Sequence, residues 1–186
     1  MIIQKVGIIG AGTMGNGIAQ ACAVVGIPVV MVDISEAAVA KGIATVSGSL
    51  DRLLKKEKIT EADKASALAK IQGSTQYEDL MSADLVIEAA TENQDLKVKI
   101  LKQLDALLAP DVIIASNTSS ISITQLAAVT TRADRFIGMH FFNPVPMMAL
   151  VEIIRGLQTS DATHDAVHAL ATALGKTPIT VKNAPG

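Results

Sequence analysis

The chain has one cysteine, no tryptophan and one tyrosine among its 186 residues. A single cysteine excludes an internal disulfide, and Cys22 lies in a run of small residues where we expect a packed, unreactive thiol. Few aromatic rings and a formal net charge of -2 leave neither stacking platforms nor a basic face. Nucleic acid is therefore not a predicted partner, and no metal site is predicted.

Long hydrophobic runs are also missing, although hydrophobic residues make up 49% of the chain. Charged or polar side chains interrupt them every few positions, so nothing approaches the roughly 18 apolar residues of a membrane span. The first residues lead directly into an apolar strand pattern, without the basic and apolar segments of a secretory signal. We therefore expect a cytoplasmic protein that does not contact the membrane.

Short segments rich in Val and Ile alternate with longer segments of helical periodicity. This pattern predicts an α/β fold over residues 1–186, one domain with a doubly wound, mostly parallel sheet of the Rossmann type. The predicted strands are 2–9, 28–33, 84–89, 111–116, 135–140, 150–154 and 178–182. The predicted helices are 13–25, 35–56, 60–71, 94–108 and 161–174. Two of these helices follow one another directly, as an insertion after the second strand.

A glycine-rich segment, Gly10-Ala11-Gly12-Thr13-Met14-Gly15, links the first predicted strand to the first helix. Gly10 permits a tight turn, Gly12 lets the backbone approach a diphosphate, and Gly15 lets the helix pack closely on the sheet. Free N–H groups and the dipole at a helix N-terminus favour negative charge. The segment therefore predicts a dinucleotide cofactor.

Asp33 ends the second predicted strand and indicates which dinucleotide binds. A carboxylate there accepts hydrogen bonds from the adenosine ribose hydroxyls and repels a 2′-phosphate. The nearest following basic residue is Lys41, so NAD is favoured over NADP. In the alternative interpretation the glycines only turn the chain and Asp33 only caps a helix.

His140 and Glu152 suggest proton transfer. His140 ends an apolar strand, and Glu152 lies in the apolar run Leu150-Val151-Glu152-Ile153-Ile154. A carboxylate in such a run is unfavourable without a partner, and an imidazole held by a glutamate moves protons at neutral pH. From the residues alone, a purely structural role for His140 remains equally open.

Three segments resemble the L-3-hydroxyacyl-CoA dehydrogenase family, and its 3-hydroxybutyryl-CoA dehydrogenases look most similar. They are Ser116-Asn117-Thr118-Ser119-Ser120, His140-Phe141-Phe142-Asn143-Pro144, and Glu152. The resemblance runs along the whole chain, from the glycine-rich segment through Glu88-Ala89-Ala90-Thr91-Glu92-Asn93 to Ala184-Pro185-Gly186.

The resemblance implies a role for each matching residue. His140 is the catalytic acid/base, and Glu152 holds its tautomer and stabilises the imidazolium. Ser119 hydrogen-bonds the substrate oxygen near the nicotinamide, and Asn143 contacts the nicotinamide ribose. The remaining implied contacts are Glu92 and Lys97 in the cofactor cleft, and Ser49 and Lys56 with coenzyme A.

The implied reaction is the NAD-dependent interconversion of 3-hydroxyacyl-CoA and 3-ketoacyl-CoA, with short chains such as 3-hydroxybutyryl-CoA favoured. In the family a helical domain follows the cofactor domain, covers the acyl group and forms a homodimer. We expect that domain to be absent from this chain, and the chain alone to be weakly active or inactive. Two alternatives are another two-domain NAD enzyme and a non-catalytic, NAD-binding or crystallin-like structural relative.

Overall fold

Eight strands form one sheet in the computed structural model, which describes residues 1–183. In chain order they are β1 Val6–Ile9, β2 Val29–Val32, β3 Ile71–Ser74, β4 Leu85–Glu88, β5 Ile113–Ser116, β6 Phe136–Phe141, β7 Leu150–Arg155 and β8 Thr177–Lys182. Their order across the sheet is β3-β2-β1-β4-β5-β6-β7-β8. The terminal Ala184-Pro185-Gly186 of the family resemblance lies outside the described residues.

Helices cover both faces of this sheet. They are α1 Thr13–Val24, α2 Glu36–Lys55, α3 Glu61–Ala69, α4 Gln94–Leu107, α5 Ile123–Ala127 and α6 Asp161–Ala173. Adjacent strand residues point to opposite faces, so Ile8 belongs to the core formed with α1, whereas Ile9 belongs to the core formed with α4. Within residues 1–183, no helix combines the length and apolar character needed to cross a bilayer.

The order of the strands reverses at β1. From β1 the chain builds outwards through β2 and β3, and then returns to place β4 on the other side of β1. All neighbouring pairs are parallel except β6 with β7. The predicted doubly wound, mostly parallel fold is confirmed, and the carboxyl ends of β1 and β4 form the crevice where such sheets bind ligands.

The helical insertion is confirmed, but its end and the strand after it were predicted wrongly. Thr60 and Asp63 form both bonds of a capping box at the start of α3. The helix ends at Ala69 rather than Ile71, and Ile71 begins β3, which the sequence pattern did not predict. β3 is an edge strand in which only Ile71 is buried, so it has no apolar run. The short helix α5 was also missed.

Cys22 lies on the buried side of α1, as expected from its small neighbours. Burial raises the pKa of its thiol to about 12. The thiolate is the reactive form of cysteine, so this thiol is inert near neutral pH.

Arg132 is a buried cation that closes the C-terminal end of α4. Its guanidinium donates to the carboxylate of Asp105 at 2.8 Å and to the main-chain carbonyls of Asp105, Leu108, Ala109 and Val112 at 2.7–3.1 Å. Burial would raise the pKa of Asp105, but hydrogen bonds from Arg132 and the residue before it hold that pKa below its usual value. These bonds anchor the C-terminal end of α4.

Replacing Arg132 with Met should lower the free energy of unfolding by about 3–5 kcal/mol, because four main-chain carbonyls lose a donor and the Asp105 carboxylate keeps only its bonds from Thr131. Arg135→Met is the matched control, since Arg135 makes a single exposed hydrogen bond to the carbonyl of Pro110. Its loss should be at most about 1.5 kcal/mol. Urea denaturation followed by circular dichroism measures both, and equal losses would contradict a special role for Arg132.

Candidate cofactor and substrate site

A cleft of about 380 Å³ opens where the carboxyl ends of β1, β2, β4 and β5 meet. It is bordered by Gly10, Gly12, Thr13, Met14, Asp33, Ala89, Ala90, Thr91, Glu92, Lys97 and Asn117. Most residues predicted to bind the cofactor therefore border one cleft. Among those not bordering it, Gly15 is buried in α1, and Ser119 and Asn143 border other cavities.

The glycine-rich segment has the shape that a bound diphosphate requires. Gly10 has φ +107°, and a Cβ on Gly15 would lie 1.8 Å from the carbonyl oxygen of Gly10. A Cβ on Gly12, by contrast, would have no atom within 4 Å, so the backbone there faces open space. The first turn of α1 has neither a side-chain cap nor an acidic residue. Its free N–H groups therefore suit an anion.

Asp33 fixes the glycine-rich segment as well as bordering the cleft. One carboxylate oxygen accepts the N–H of Ala11 at 2.8 Å, and the other accepts the N–H of Ile34 at 2.7 Å. Each carboxylate oxygen has two acceptor sites, so both keep capacity for ribose hydroxyls. The sequence predicted the ribose contact but not the bond to Ala11.

A buried ionic cluster lies beneath this cleft. Lys97 and Glu88 form a salt bridge in which their side chains are 1% and 0% exposed. Ser116 Oγ donates to Glu88 Oε1 at 2.9 Å, and Glu88 Oε2 accepts the N–H of Ala90 at 2.8 Å. Lys97 is thus a paired, buried cation rather than a free charge at the cleft wall. Sequence reasoning missed Glu88, although it is an acidic residue at the end of an apolar strand.

Glu92 joins the loop after β4 to the loop after β5. Its Oε2 accepts hydrogen bonds from the hydroxyls of Thr118 and Ser120, both at 2.9 Å. Ser119 lies between these two residues and is exposed. The loop that carries Ser119 is therefore held on both sides by the cleft residue Glu92.

His140 and Glu152 are direct cross-strand partners in the antiparallel pair β6–β7. His140 Nδ1 lies 3.2 Å from Glu152 Oε1, and the ring of Phe142 packs 4.5 Å from the imidazole. The side chains of His140 and Glu152 are 16% and 29% exposed. Glu152 is less buried than its apolar run suggested, because burial alternates along β7 and only Val151 and Ile153 are fully enclosed.

Ser119 and Glu152 border the same cavity, which has a volume of about 570 Å³. Asn117, which borders the first cleft, connects the two regions because its Oδ1 accepts the N–H of Phe141 at 2.8 Å. This bond ties the end of β5 to the strand that carries His140. The cofactor cleft, Ser119 and the His140–Glu152 pair are thus linked through main-chain and side-chain contacts.

A groove of about 490 Å³ brings together Ser49 from α2, Lys56 just after the end of α2, and Asn143 from the loop after β6. Arg52 of α2 also borders this groove, about one helical turn from Ser49 and from Lys56. Thr13 borders both this groove and the cofactor cleft. Ser49 and Lys56, which are predicted to contact coenzyme A, are therefore close to the predicted diphosphate site. Asn143 borders the same groove as these two residues and does not border the cofactor cleft.

Comparison with known proteins identifies the family of this chain. Residues 5–184 match the family described as the NAD binding domain of 3-hydroxyacyl-CoA dehydrogenase. The chain is 51% identical over 175 residues to a 3-hydroxybutyryl-CoA dehydrogenase of Bradyrhizobium diazoefficiens, covering 94% of this chain and 60% of that protein. It is 45% identical to the enzyme of the same name from Clostridioides difficile, covering 98% of this chain and 65% of that protein.

Solved structures give the same result. The (S)-3-hydroxybutyryl-CoA dehydrogenase from Ralstonia eutropha is 78% identical and superposes with a TM-score of 0.97, over 99% of this chain and 65% of that one. The chain thus spans 60–65% of the length of these relatives. It belongs to the 3-hydroxyacyl-CoA dehydrogenase family, as an NAD-binding domain whose cofactor is NAD.

Proposed function

We propose that this chain is the cofactor domain of an enzyme that interconverts 3-hydroxyacyl-CoA and 3-ketoacyl-CoA, with short-chain substrates such as 3-hydroxybutyryl-CoA favoured. The observation that carries the proposal is the paired His140 and Glu152, 3.2 Å apart beside the cavity that Ser119 borders. The names of the similar dehydrogenases support a short acyl chain.

The cleft residues divide the work of holding NAD. The first turn of α1 and the open backbone at Gly12 suit the diphosphate, and Asp33 suits the adenosine ribose. Ser119 is proposed to lie near the nicotinamide and Asn143 to contact its ribose, and Glu92 and Lys97 are proposed to line the cofactor cleft. When bound, the nicotinamide accepts or supplies the hydride, and the protein contributes orientation and charge.

His140 is proposed to exchange the proton of the substrate's 3-hydroxyl group. With Nδ1 directed at Glu152, its N–H donates to the carboxylate and Nε2 carries the free lone pair. Nε2 takes the hydroxyl proton during oxidation and returns it during reduction, while Glu152 stabilises the imidazolium. Ser119 donates a hydrogen bond to the same substrate oxygen.

Coenzyme A is proposed to lie in the groove between α2 and the loop after β6. Ser49 of α2 and Lys56 just after its end supply a hydroxyl donor and a cation for the phosphates of coenzyme A. The relatives extend beyond the matched region. We propose that a helical domain in that part of the enzyme covers the acyl group and forms a homodimer.

The 186-residue chain should bind NADH at least about tenfold more tightly than NADPH, because Asp33 repels a 2′-phosphate. Asp33→Ser combined with Ile34→Arg should narrow this gap, with some loss of NADH affinity because Ala11 loses its acceptor. Glu36→Gln, which changes an exposed neighbouring charge, should leave the preference intact. Quenching or enhancement of NADH fluorescence measures each affinity. Equal affinities for both cofactors in the unmodified chain would contradict the role of Asp33.

His140→Ala, tested in a form extended to the length of the relatives, should lower turnover of acetoacetyl-CoA by about 10²–10⁴-fold. NADH affinity should change little, since proton transfer and cofactor binding use different residues. Glu152→Gln should lower turnover less, because the imidazole remains. His168→Gln on α6 is the matched control and should behave as the parent. A His140→Ala enzyme with normal turnover would refute the acid/base assignment.

The 186 residues alone should bind NADH but reduce acetoacetyl-CoA at less than about one hundredth of the rate of the extended form. The reason is positional, since the proton-transfer pair lies in this chain whereas the proposed cover of the acyl group does not. Steady-state assays at equal folded concentrations make the comparison. Similar rates would mean that the cofactor domain positions the substrate unaided, and absence of turnover in both would favour a non-catalytic NAD-binding protein.

A further inference from the structure

Residues 143–148 form the Asn143 loop, and its residues 143–147 form one wall of the groove that Ser49 and Lys56 border. The loop contains two prolines, which have no N–H to donate. Its internal bonds run from the N–H groups of Met147 and Met148 to the carbonyl of Pro144, at 3.0 and 3.1 Å. So sparse a set of bonds does not fix the loop against the rest of the protein, and its position depends on outside contacts.

One outside contact is steric. The side chain of Val145 is 2% exposed, and a Cβ on Gly17 of α1 would come within 2.8 Å of the Val145 Cβ. Val145 therefore rests directly on the backbone of the helix whose N-terminus faces the cofactor cleft. This contact limits how closely the loop approaches α1, but it does not direct the loop's carbonyl groups.

The second contact is Lys176, the residue just before β8 at the edge of the sheet. Lys176 Nζ donates to the carbonyl of Val145 at 2.6 Å and to the carbonyl of Met148 at 2.8 Å. Its backbone is held as well, because it follows Gly175, which has φ +76° after the end of α6, and its N–H bonds to Ala171. The next residue, at the start of β8, donates its N–H to Ala149 at 2.7 Å.

The ammonium group of Lys176 has carbonyls as its partners rather than a carboxylate. Within residues 1–183 no carboxylate lies close enough to Nζ for a salt bridge. Partial burial lowers the pKa of Lys176. A half-buried cation is unfavourable without hydrogen bonds, and loop carbonyls need donors, so each satisfies the other.

We infer that Lys176 is a positioning residue, which fixes the Asn143 loop as the wall of the coenzyme A groove and thereby orients Asn143. The inference rests on the proposed function for the identity of the ligands. Lys176 itself borders neither the groove nor the cofactor cleft, and it acts through the main chain of the loop.

The test replaces Lys176 with Met, which keeps the aliphatic stem and removes the donors. Amide hydrogen exchange at Met147 and Met148 should accelerate about tenfold, because the loop loses its second anchor. Affinity for coenzyme A, measured by calorimetry on the 186-residue chain, should fall about three- to tenfold, and NADH affinity should fall less. Lys102→Met, on the exposed side of α4, is the matched control and should leave all three measurements unchanged.

Lys176→Arg keeps the charge and the donors, so it should retain most of the coenzyme A affinity of the parent. This comparison can be made even if the Met variant does not fold. If the Met variant folds and its loop loosens while both affinities stay at the parent value, the positioning role is overturned and the proposed function stands. If Lys176→Arg and Lys176→Met both match the parent in hydrogen exchange and in both affinities, Lys176 does not hold the Asn143 loop and the inference is wrong. Failure of the unmodified chain to bind coenzyme A or NADH would instead overturn the proposed function.

Discussion

The salt bridge between Glu88 and Lys97 is the interaction on which the site depends. Both charges are fully enclosed, and an enclosed ion pair is stable only when its remaining hydrogen-bonding capacity is used. Here Ser116 and the backbone of Ala90 use it, so the requirement to solvate two buried charges fixes the ends of β4 and β5 together. Packed hydrophobic residues would fill the same volume but would not fix the positions of the loops after β4 and β5. The site requires those loops to be held in place.

Hydrogen bonds in the loops above this cluster connect it to the rest of the site. Glu92 holds the loop around Ser119, and Asn117 ties that loop to the strand of His140. The final step belongs to the backbone, since the antiparallel register places His140 opposite Glu152. A slip of one residue in β7 would turn Glu152 to the other face of the sheet, so the contact between His140 and Glu152 depends on the register of the two strands.

The parts of the structure that were predictable are those encoded locally. The turn at Gly10 and the start of α3 at Thr60 depend on residues a few positions apart, and both were predicted correctly. β3 was missed because it is an edge strand with one buried residue, so no apolar pattern marks it. The exposure of Glu152 depends on its place near the other sheet edge, and the bonds of Lys176 join residues about thirty positions apart. Neither leaves a signal in the sequence.

The central position of β1 has a consequence for how the protein is made. During synthesis the chain completes β1, β2 and β3 first, but the other edge of β1 stays unpaired until Leu85 and its neighbours have left the ribosome. The glycine-rich turn meets the backbone of Ala89 only then. A nascent chain therefore presents an unpaired strand edge next to an incomplete nucleotide pocket until the helical insertion and β4 have both emerged.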